Sequence, residues 1–305
     1  MKKTILITGA SGMLSKHLTK QLEREYSIRY LTRKVTKNNE YLWDLNKNYI
    51  DPNALKDVHT IIHLAGSAIA DRRWTKKRKQ IILSSRVDSA HLILDELKNN
   101  GITIDSFISA SAIGYYGTKT TNIIYNEESE KGNDFLSNVC YKWEDAANKL
   151  KSSNVANKIA IVRIGIILSN SGGALKKIIR PIKYGFGSGL GTGNQYMPWI
   201  HIQDLCSLFN FLIKNKHISG TFNAVSPEHI TNIELTRKIG KVLSRPIFLP
   251  NIPKFIIQAL YGEMSLILLE GSRVSSDKIV EQGFSFNYGN LNNALINLLQ
   301  AEKQA

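Results

Sequence analysis

The sequence predicts a doubly wound α/β protein, a parallel Rossmann sheet with a smaller carboxyl-terminal substrate-binding lobe. Three observations carry this. A glycine loop sits between an apolar run and a helix at the amino end, strand-like and helix-like segments alternate through the first half, and the tail is helical and broken by proline.

The glycine loop comes first. Ile5, Leu6 and Ile7 form the apolar run expected of a strand covered on both faces. Gly9 permits a tight turn. Gly12, with no Cβ, lets a pyrophosphate approach the N–H groups that open a helix over 14–25. Ser11, Met13 and Leu14 share this turn and join Gly9 and Gly12 as expected cofactor contacts. Ser15 stands where such loops commonly carry a third glycine. An ordinary βα turn is the alternative.

The segment 27–32 reads as the second strand and ends in Arg33-Lys34. Nucleotide enzymes that prefer NAD place a carboxylate here, and those that prefer NADP an arginine, whose fork fits a phosphate. Arg33 and Lys34 therefore point to NADPH/NADP. A short third strand over 41–43 would carry Asp44 to the adenine edge. The fourth, 60–64, ends at Leu64, and Ala65-Gly66 follow where a flat cofactor needs close backbone. Ligands in such sheets bind at the carboxyl ends of the strands. Arg73, inside the basic run Arg72 to Lys79, is thus placed to face cofactor or an anionic substrate. The next helix runs from Lys76 through Arg86, a further expected cofactor neighbour, toward Leu97.

Composition narrows the classes. A chain of 305 residues suits one α/β core with an annex, and its hydrophobic fraction of 43% is ample for that core. No apolar run approaches the roughly 20 residues of a membrane helix, so a soluble protein with no membrane partner is expected. The apolar stretch behind Met1-Lys2-Lys3 ends after Ile7 and reads as a strand, not a secretory signal. Cys140 and Cys206 offer neither a disulfide framework nor a metal cluster, which points to a reducing cytoplasm. Of the formal charge of +15, from 40 Lys and Arg against 25 Asp and Glu, much is scattered lysine, and one cluster, Arg72 to Lys79, is denser. Without a recognisable nucleic-acid module it does not make nucleic acid the expected partner.

The motifs ITGASGMLS, LTRK, HLAGSAIADRRW, SSRVDS, SASAIGYYG, FLSNVCYKWEDAA, GNQYMPWIHIQDL and FNAVSP, closing with RPIFLP, YGEM and GFSF, resemble the extended short-chain dehydrogenase/reductase superfamily. More narrowly they resemble its atypical, NADP-binding "epimerase family protein" subgroup, whose carboxyl end carries a small domain of unknown function. The superfamily uses a Tyr-x-x-x-Lys pair on one helix face, where lysine lowers the phenol's pKa and the phenol exchanges a proton with the substrate oxygen. A serine steadies that oxygen, and the resemblance places it at Ser111. The helix that should bear the pair, 134–151, offers Cys140 and Glu144 instead. The strings Tyr30/Lys34 and Tyr115/Lys119 fall on a strand and in a glycine-rich turn, so neither is the motif.

Several residues compete for the missing role. Cys140 is a thiol donor or nucleophile if a neighbour makes it a thiolate, and otherwise a buried small residue. Glu144 is a general acid or base, or a surface carboxylate. Tyr116 offers a phenol or packs at the strand end. Farther on, Gly185 to Gly193 form a loop rich enough in glycine to wrap a ligand. Gln195, Trp199 and His201 follow as substrate-facing candidates, with His201 alternatively a core histidine and Asn223 a turn residue.

The expected division is a nucleotide domain over 1–165, rejoined by a return strand and helix at about 199–225, with 166–198 and 226–305 forming the substrate lobe. Three helices, over 231–243, up to Leu269 and from Leu291, fill the tail. The function expected is reduction, or epimerisation, of a small carbonyl or sugar-nucleotide compound with NADPH. A catalytically quiet NADPH-sensing protein is the alternative. By resemblance the chain pairs as a homodimer through the helices 76–97 and 134–151.

Overall fold

The structure, a computed structural model, describes residues 2–300. The first half contains β1 (Thr4–Thr8), α1 (Met13–Leu22), β2 (Ser27–Thr32), β3 (Glu40–Asp44), β4 (Tyr49–Ile50), β5 (Val58–His63), α2 (Lys76–Asn99), β6 (Ile104–Ala112), β7 (Ile124–Tyr125) and α3 (Phe135–Ser152). The second half continues with β8 (Ala156–Ile164), β9 (Ile166–Leu168), α4 (Gly173–Lys183), β10 (Trp199–His201), α5 (Ile202–Lys214), β11 (Gly220–Ala224) and α6 (Asn232–Val242). The tail holds α7 (Lys254–Tyr261), α8 (Leu266–Leu269), β12 (Arg273–Val274), α9 (Asp277–Glu281) and α10 (Leu291–Gln300).

Eight strands make one sheet in the order β11-β8-β6-β5-β1-β2-β3-β4. Every ladder in it is parallel except β3 with β4. The central strands are apolar at successive positions because both faces are covered. Ile5 and Ile7 of β1, Ile62 of β5, Ile108 of β6 and Val162 of β8 enter one core with α1, α5 and α10. Leu6, Ile61, Phe107 and Ile161, the neighbours in sequence, enter the opposite core with α2 and α3. The period of two thus sorts each strand's residues between two cores.

Local signals set the helix ends. Thr75 caps α2 by accepting the Arg78 N–H at 3.1 Å. Asp134 and Ser137 form a capping box on α3, and Thr231 and Glu234 another on α6. The first helix is shorter than expected: its apolar face ends at Leu22, and Glu25 and Tyr26 both turn their N–H groups back onto the Leu22 carbonyl. The tail's second helix divides into α7, a 3-10 turn over Gly262–Ser265, and α8. Trp199–His201 does not enter the large sheet; it pairs in parallel with β9 to make a separate two-stranded ladder. The strand that returns to the sheet is β11, paired with β8.

One buried polar cluster fastens α2 and α3 to this sheet. His63 shares hydrogen bonds with Ser89 on α2 at 2.8 Å and Ser109 on β6 at 3.4 Å, and accepts the Trp143 indole N–H from α3 at 3.3 Å. The imidazole has no exposure, and burial first and the Arg86 charge second push its pKa down to about 3. An unfolded histidine titrates near 6.5, so on acidification the unfolded chain takes up its proton first and stability falls from about pH 6.5 toward pH 3. Between about pH 7.5 and about pH 5, urea unfolding should lose about 2 kcal/mol from this residue. His63→Asn should remove that share of the loss; an unchanged pH profile would refute the assignment.

Candidate functional site

From β1 the chain winds outward through β2 and β3, and from β5 it winds the other way, so strand order reverses between β1 and β5. Loops diverge at such a reversal and leave a crevice at the carboxyl ends of the strands. Gly9 lies in it with φ of +75°, and a Cβ there would stand 3.0 Å from the Leu64 carbonyl oxygen and 3.2 Å from Ala65 N, so only glycine fits. Thr8 closes the same junction, its hydroxyl oxygen accepting the N–H groups of Leu64 at 3.0 Å and Ala65 at 2.9 Å. Gly12 donates its N–H to the Gly9 carbonyl at 2.9 Å and opens α1. Unlike α2, α3 and α6, α1 has no side-chain cap, and its first turn holds no acid. The N–H groups of Met13, Leu14 and Ser15 therefore present the helix's partial positive charge to an anion.

Around that anion position, Ser11 and Gly12 are exposed at the crevice mouth, and Arg33 and Lys34 are exposed just past β2, the strand beside β1. On the β5 side, Arg86 packs beneath Gly66, where a Cβ would come within 2.9 Å of the guanidinium carbon. Arg86 is buried, donates to the Ile82 carbonyl at 2.8 Å and stacks 5.1 Å from the Trp143 ring, but its Nε has no partner. Burial foremost lowers its pKa to about 10. The uncapped helix, the cradle at Gly9 and the cations past β2 fit a dinucleotide carrying an extra phosphate.

Beside the crevice lies a polar network that replaces the expected phenol–lysine pair. Ser111 of β6, Arg163 of β8 and Asn223 of β11 are partners in register across three adjacent strands. All three fall on the α3 side, because Phe107 and Ile161 of the same strands enter the core shared with α3. Ser111 donates its hydroxyl to Glu144 of α3 at 2.6 Å. Arg163 grips the same carboxylate with Nε at 2.9 Å and Nη2 at 2.8 Å, a bidentate pair with side-chain exposures of only 4% and 8%. Its Nη1 donates to the Tyr116 hydroxyl at 3.0 Å, and that hydroxyl donates to Asn223 Oδ1 at 2.7 Å. The guanidinium carbon lies over the Tyr115 ring, 3.4 Å from its centre. Burial alone would lower its pKa; hydrogen bonds and charge from Glu144 outweigh that and raise it, so Arg163 stays protonated.

The network decides between the roles open to each residue. Cys140 is buried, and burial first and the Glu144 charge second push its thiol up to about 12. It is a neutral thiol, since its charged neighbours are led by an anion and a thiolate needs a cation. Glu144 is on the buried face of α3, not on its surface. Tyr116 also has its pKa raised to about 12 by burial, and its one proton is committed to Asn223. Asn223 lies in β11 and does not hold its own turn: its Nδ2 donates to the Ser275 carbonyl at 3.0 Å and ties the strand to the tail.

Five expected ligands are engaged elsewhere. Asp44 ends β3 and accepts the Asn46 N–H at 2.9 Å, shaping the turn into β4. Arg73 reaches away to the Ala259 carbonyl of α7 at 2.7 Å. Gln195 is buried and donates to the carbonyls of Leu190 at 3.1 Å and Leu268 at 2.8 Å. Trp199 is fully buried in the core beneath α5. His201 caps α5, its Nδ1 accepting the Gln203 N–H at 3.1 Å, while Nε2 meets Asn297 at 3.2 Å and the ring stacks on Tyr288. Arg163 was the residue the sequence reading missed. Its signal is a charge at an inward position of the strand IAIVRI.

Glycine cradle, switch-point crevice and serine at the end of β6 together define an extended short-chain dehydrogenase/reductase fold of the atypical kind. The chain belongs to the NAD dependent epimerase/dehydratase family, whose model matches residues 5–224, and a domain of unknown function, DUF1731, matches residues 252–298. It is 33% identical to the epimerase family protein SDR39U1 homolog, chloroplastic, of Arabidopsis thaliana, over 97% of this chain and 87% of that one. With the epimerase family protein YfhF of Bacillus subtilis it shares 32% identity over 98% of this chain and 99% of the other. The crystal structure of human epimerase family protein SDR39U1 with NADPH superposes with a TM-score of 0.87 at 26% identity, covering 97% of this chain and 99% of that one.

Removing one member of a buried ion pair strands the other charge, which costs about 3–5 kcal/mol. Glu144→Ala is accordingly expected to lose that much in urea unfolding. The double change Glu144→Leu/Arg163→Met should lose less than the single one; additive losses would mean that the two side chains are not coupled in the fold.

Proposed function

We propose that the chain binds NADPH in the β1/β5 crevice and exchanges a hydride between it and an oxygen-bearing carbon of a small carbonyl or sugar-nucleotide compound. The observation that carries this reading is the 2.6 Å hydrogen bond from Ser111 to a Glu144 carboxylate locked by Arg163, at the carboxyl end of a strand two places from β1. Support for the cofactor comes from Gly9, the uncapped α1 and Arg33, and from the NADPH in the human SDR39U1 crystal structure. When bound, the nicotinamide would supply the hydride for reduction of a carbonyl or, in its oxidised form, take it up from a carbon that bears a hydroxyl. The chain's own residues handle the proton. Ser111 orients the reacting oxygen, and in the oxidising direction the Glu144 carboxylate would accept the proton that Ser111 relays from a substrate hydroxyl as the hydride leaves for the nicotinamide. Arg163 is a positioning residue: it fixes the carboxylate's plane. The homodimer and the cytoplasmic setting belong to the same proposal.

A second reading, a catalytically quiet NADPH-sensing protein, is favoured by one observation. In the reducing direction neither Cys140 nor Tyr116 has a pKa near neutrality, since burial pushes both to about 12.

Fluorescence titration with NADPH and NADH, followed by a panel of aldehydes, ketones, quinones and nucleotide sugars, separates the two. Arg33→Ala should weaken NADPH about tenfold or more and leave NADH little changed, because one charge-assisted phosphate contact is lost. Ser111→Ala and Glu144→Gln should each lower turnover about 100-fold or more while cofactor affinity holds. Tight NADPH binding without oxidation by any panel member would favour the sensor, and no binding would sink both readings.

A further inference from the structure

One surface is used by neither crevice nor network. The helix α7 reads KFIIQALY, and only Ile257 of its eight residues is buried. Phe255 is 69% exposed and Leu260 62%, and nearby Phe248 is 72%, Phe186 70% and Tyr184 73% exposed. These side chains sit on adjoining backbone. Ile252 donates its N–H to the Gly189 carbonyl and Gly191 donates to the Ile252 carbonyl, each at 2.9 Å. A Cβ at Gly187 would stand 2.4 Å from Ile247. The segments bearing Phe186 and Phe248 therefore run side by side, and α7 follows directly. A helix this short gains little stability by itself in water, and contiguous exposed apolar surface marks a site of contact.

The surrounding charge selects the occupant. Arg73 is bonded to the Ala259 carbonyl at 2.7 Å and Lys177 to the Ala70 carbonyl at 3.4 Å, so the loop after β5, α4 and α7 form one continuous surface. The segments 70–79, 173–191 and 234–263 together carry fifteen Lys and Arg against three acids, Asp71, Glu234 and Glu263; Lys79 pairs with Glu263 at 2.6 Å and Lys254 with Glu270 at 3.5 Å, and the cations still outnumber the acids fivefold. Most of the chain's +15 is thus gathered in the three segments that border the apolar patch. Two such faces brought together in a symmetric pair would oppose like charges. An anionic bilayer supplies both what the apolar side chains need and what the cations need.

We propose that this face docks on an anionic membrane surface, with Phe255, Leu260, Phe248 and Phe186 entering the headgroup boundary and the lysines and arginines around them meeting lipid phosphates. No helix among the described residues is long and apolar enough to cross a membrane. Lying on one needs only an apolar side with basic neighbours. The expectation of no membrane partner came from hydropathy, which tests for spanning segments alone.

The test is co-sedimentation of the full chain with vesicles of phosphatidylcholine alone and of phosphatidylcholine mixed with phosphatidylglycerol, across a salt series. Pelleting is expected only with the anionic vesicles, and it should weaken as salt rises. The double variant Phe255→Ser/Leu260→Ser should bind about tenfold more weakly or worse at every salt concentration. Arg180→Glu/Lys254→Glu should bind more weakly chiefly at low salt. All four positions are exposed, and thermal melting checks that the variants fold. No pelleting at low salt, or equal pelleting of the parent and the apolar variant, would overturn the proposal. A dimer that the apolar variant splits while vesicle binding stays unchanged would overturn it in favour of a second copy. A single-stranded oligonucleotide that binds more tightly than the vesicles, and depends on Phe255, would overturn it in favour of nucleic acid.

Discussion

An arginine in the middle of a sheet covered on both faces has to be answered by a carboxylate, and that requirement shapes the carboxyl end of this fold. Arg163 sits on β8 with Ser111 and Asn223 level with it on the flanking strands, and it cannot reach water. Its counter-charge comes from α3, so the position of that helix against β6 and β8 is tied to the bidentate contact with Glu144. A buried pair of this kind adds little net stability, because desolvation of two ions offsets most of their attraction, yet breaking it is costly. What it provides is a fixed geometry. Each guanidinium nitrogen has a partner, Nε and Nη2 on Glu144 and Nη1 on Tyr116, with the Tyr115 ring packed against the group, and the Ser111 hydroxyl is left aimed at a carboxylate with a set orientation.

The glycine cradle obeys a second, independent constraint. Gly9 and Leu64 directly follow β1 and β5, strands far apart in sequence but adjacent in the sheet, and their backbones meet so closely that no side chain fits between them. Thr8 seals this contact with its hydroxyl. The β1 loop is therefore rigid where a phosphate would rest, and the uncapped start of α1 needs no movement to receive it. The crevice and the polar network lie on neighbouring strands, which places an anion-binding loop and a polarised hydroxyl along one line of strand ends.

Much of this was legible in the sequence because it depends on short-range pattern. The loop 9–15 and the strand at 27–32 follow from apolar runs and glycine spacing, which are local; the helix over 134–151 was placed by resemblance to the family, and its Asp134 cap emerges only in the structure. The three-residue ladder of β9 with β10 was not legible, since Ile166–Leu168 and Trp199–His201 acquire strand geometry only by meeting each other. The roles of Gln195, Trp199 and His201 were obscured for a related reason: polar and aromatic residues after a glycine-rich loop look like ligands until the fold shows them buried against helix ends. Arg163 and Glu144 were partly legible. Each breaks a pattern, a charge at an inward strand position and an acid on the apolar face of α3 with Cys140 and Ala147. Nineteen residues separate the two, and only the crossing of α3 over β8 reveals that they answer each other.

The exchange of a phenol–lysine pair for a serine–carboxylate–arginine chain changes what the end of β6 holds fixed. A phenol beside lysine can hold or release its proton with small changes in surroundings. Glu144 instead accepts from Ser111 and twice from Arg163, and Arg163 is held in one state, the cation. Three donors thus converge on one carboxylate, which occupies its oxygens and builds in no preference for either direction of proton transfer. Burial of Cys140 and Tyr116, which raises both pKa values to about 12, closes the two alternative routes at neutral pH. What the buried network sets is therefore an orientation, that of the Ser111 hydroxyl at the carboxyl end of β6.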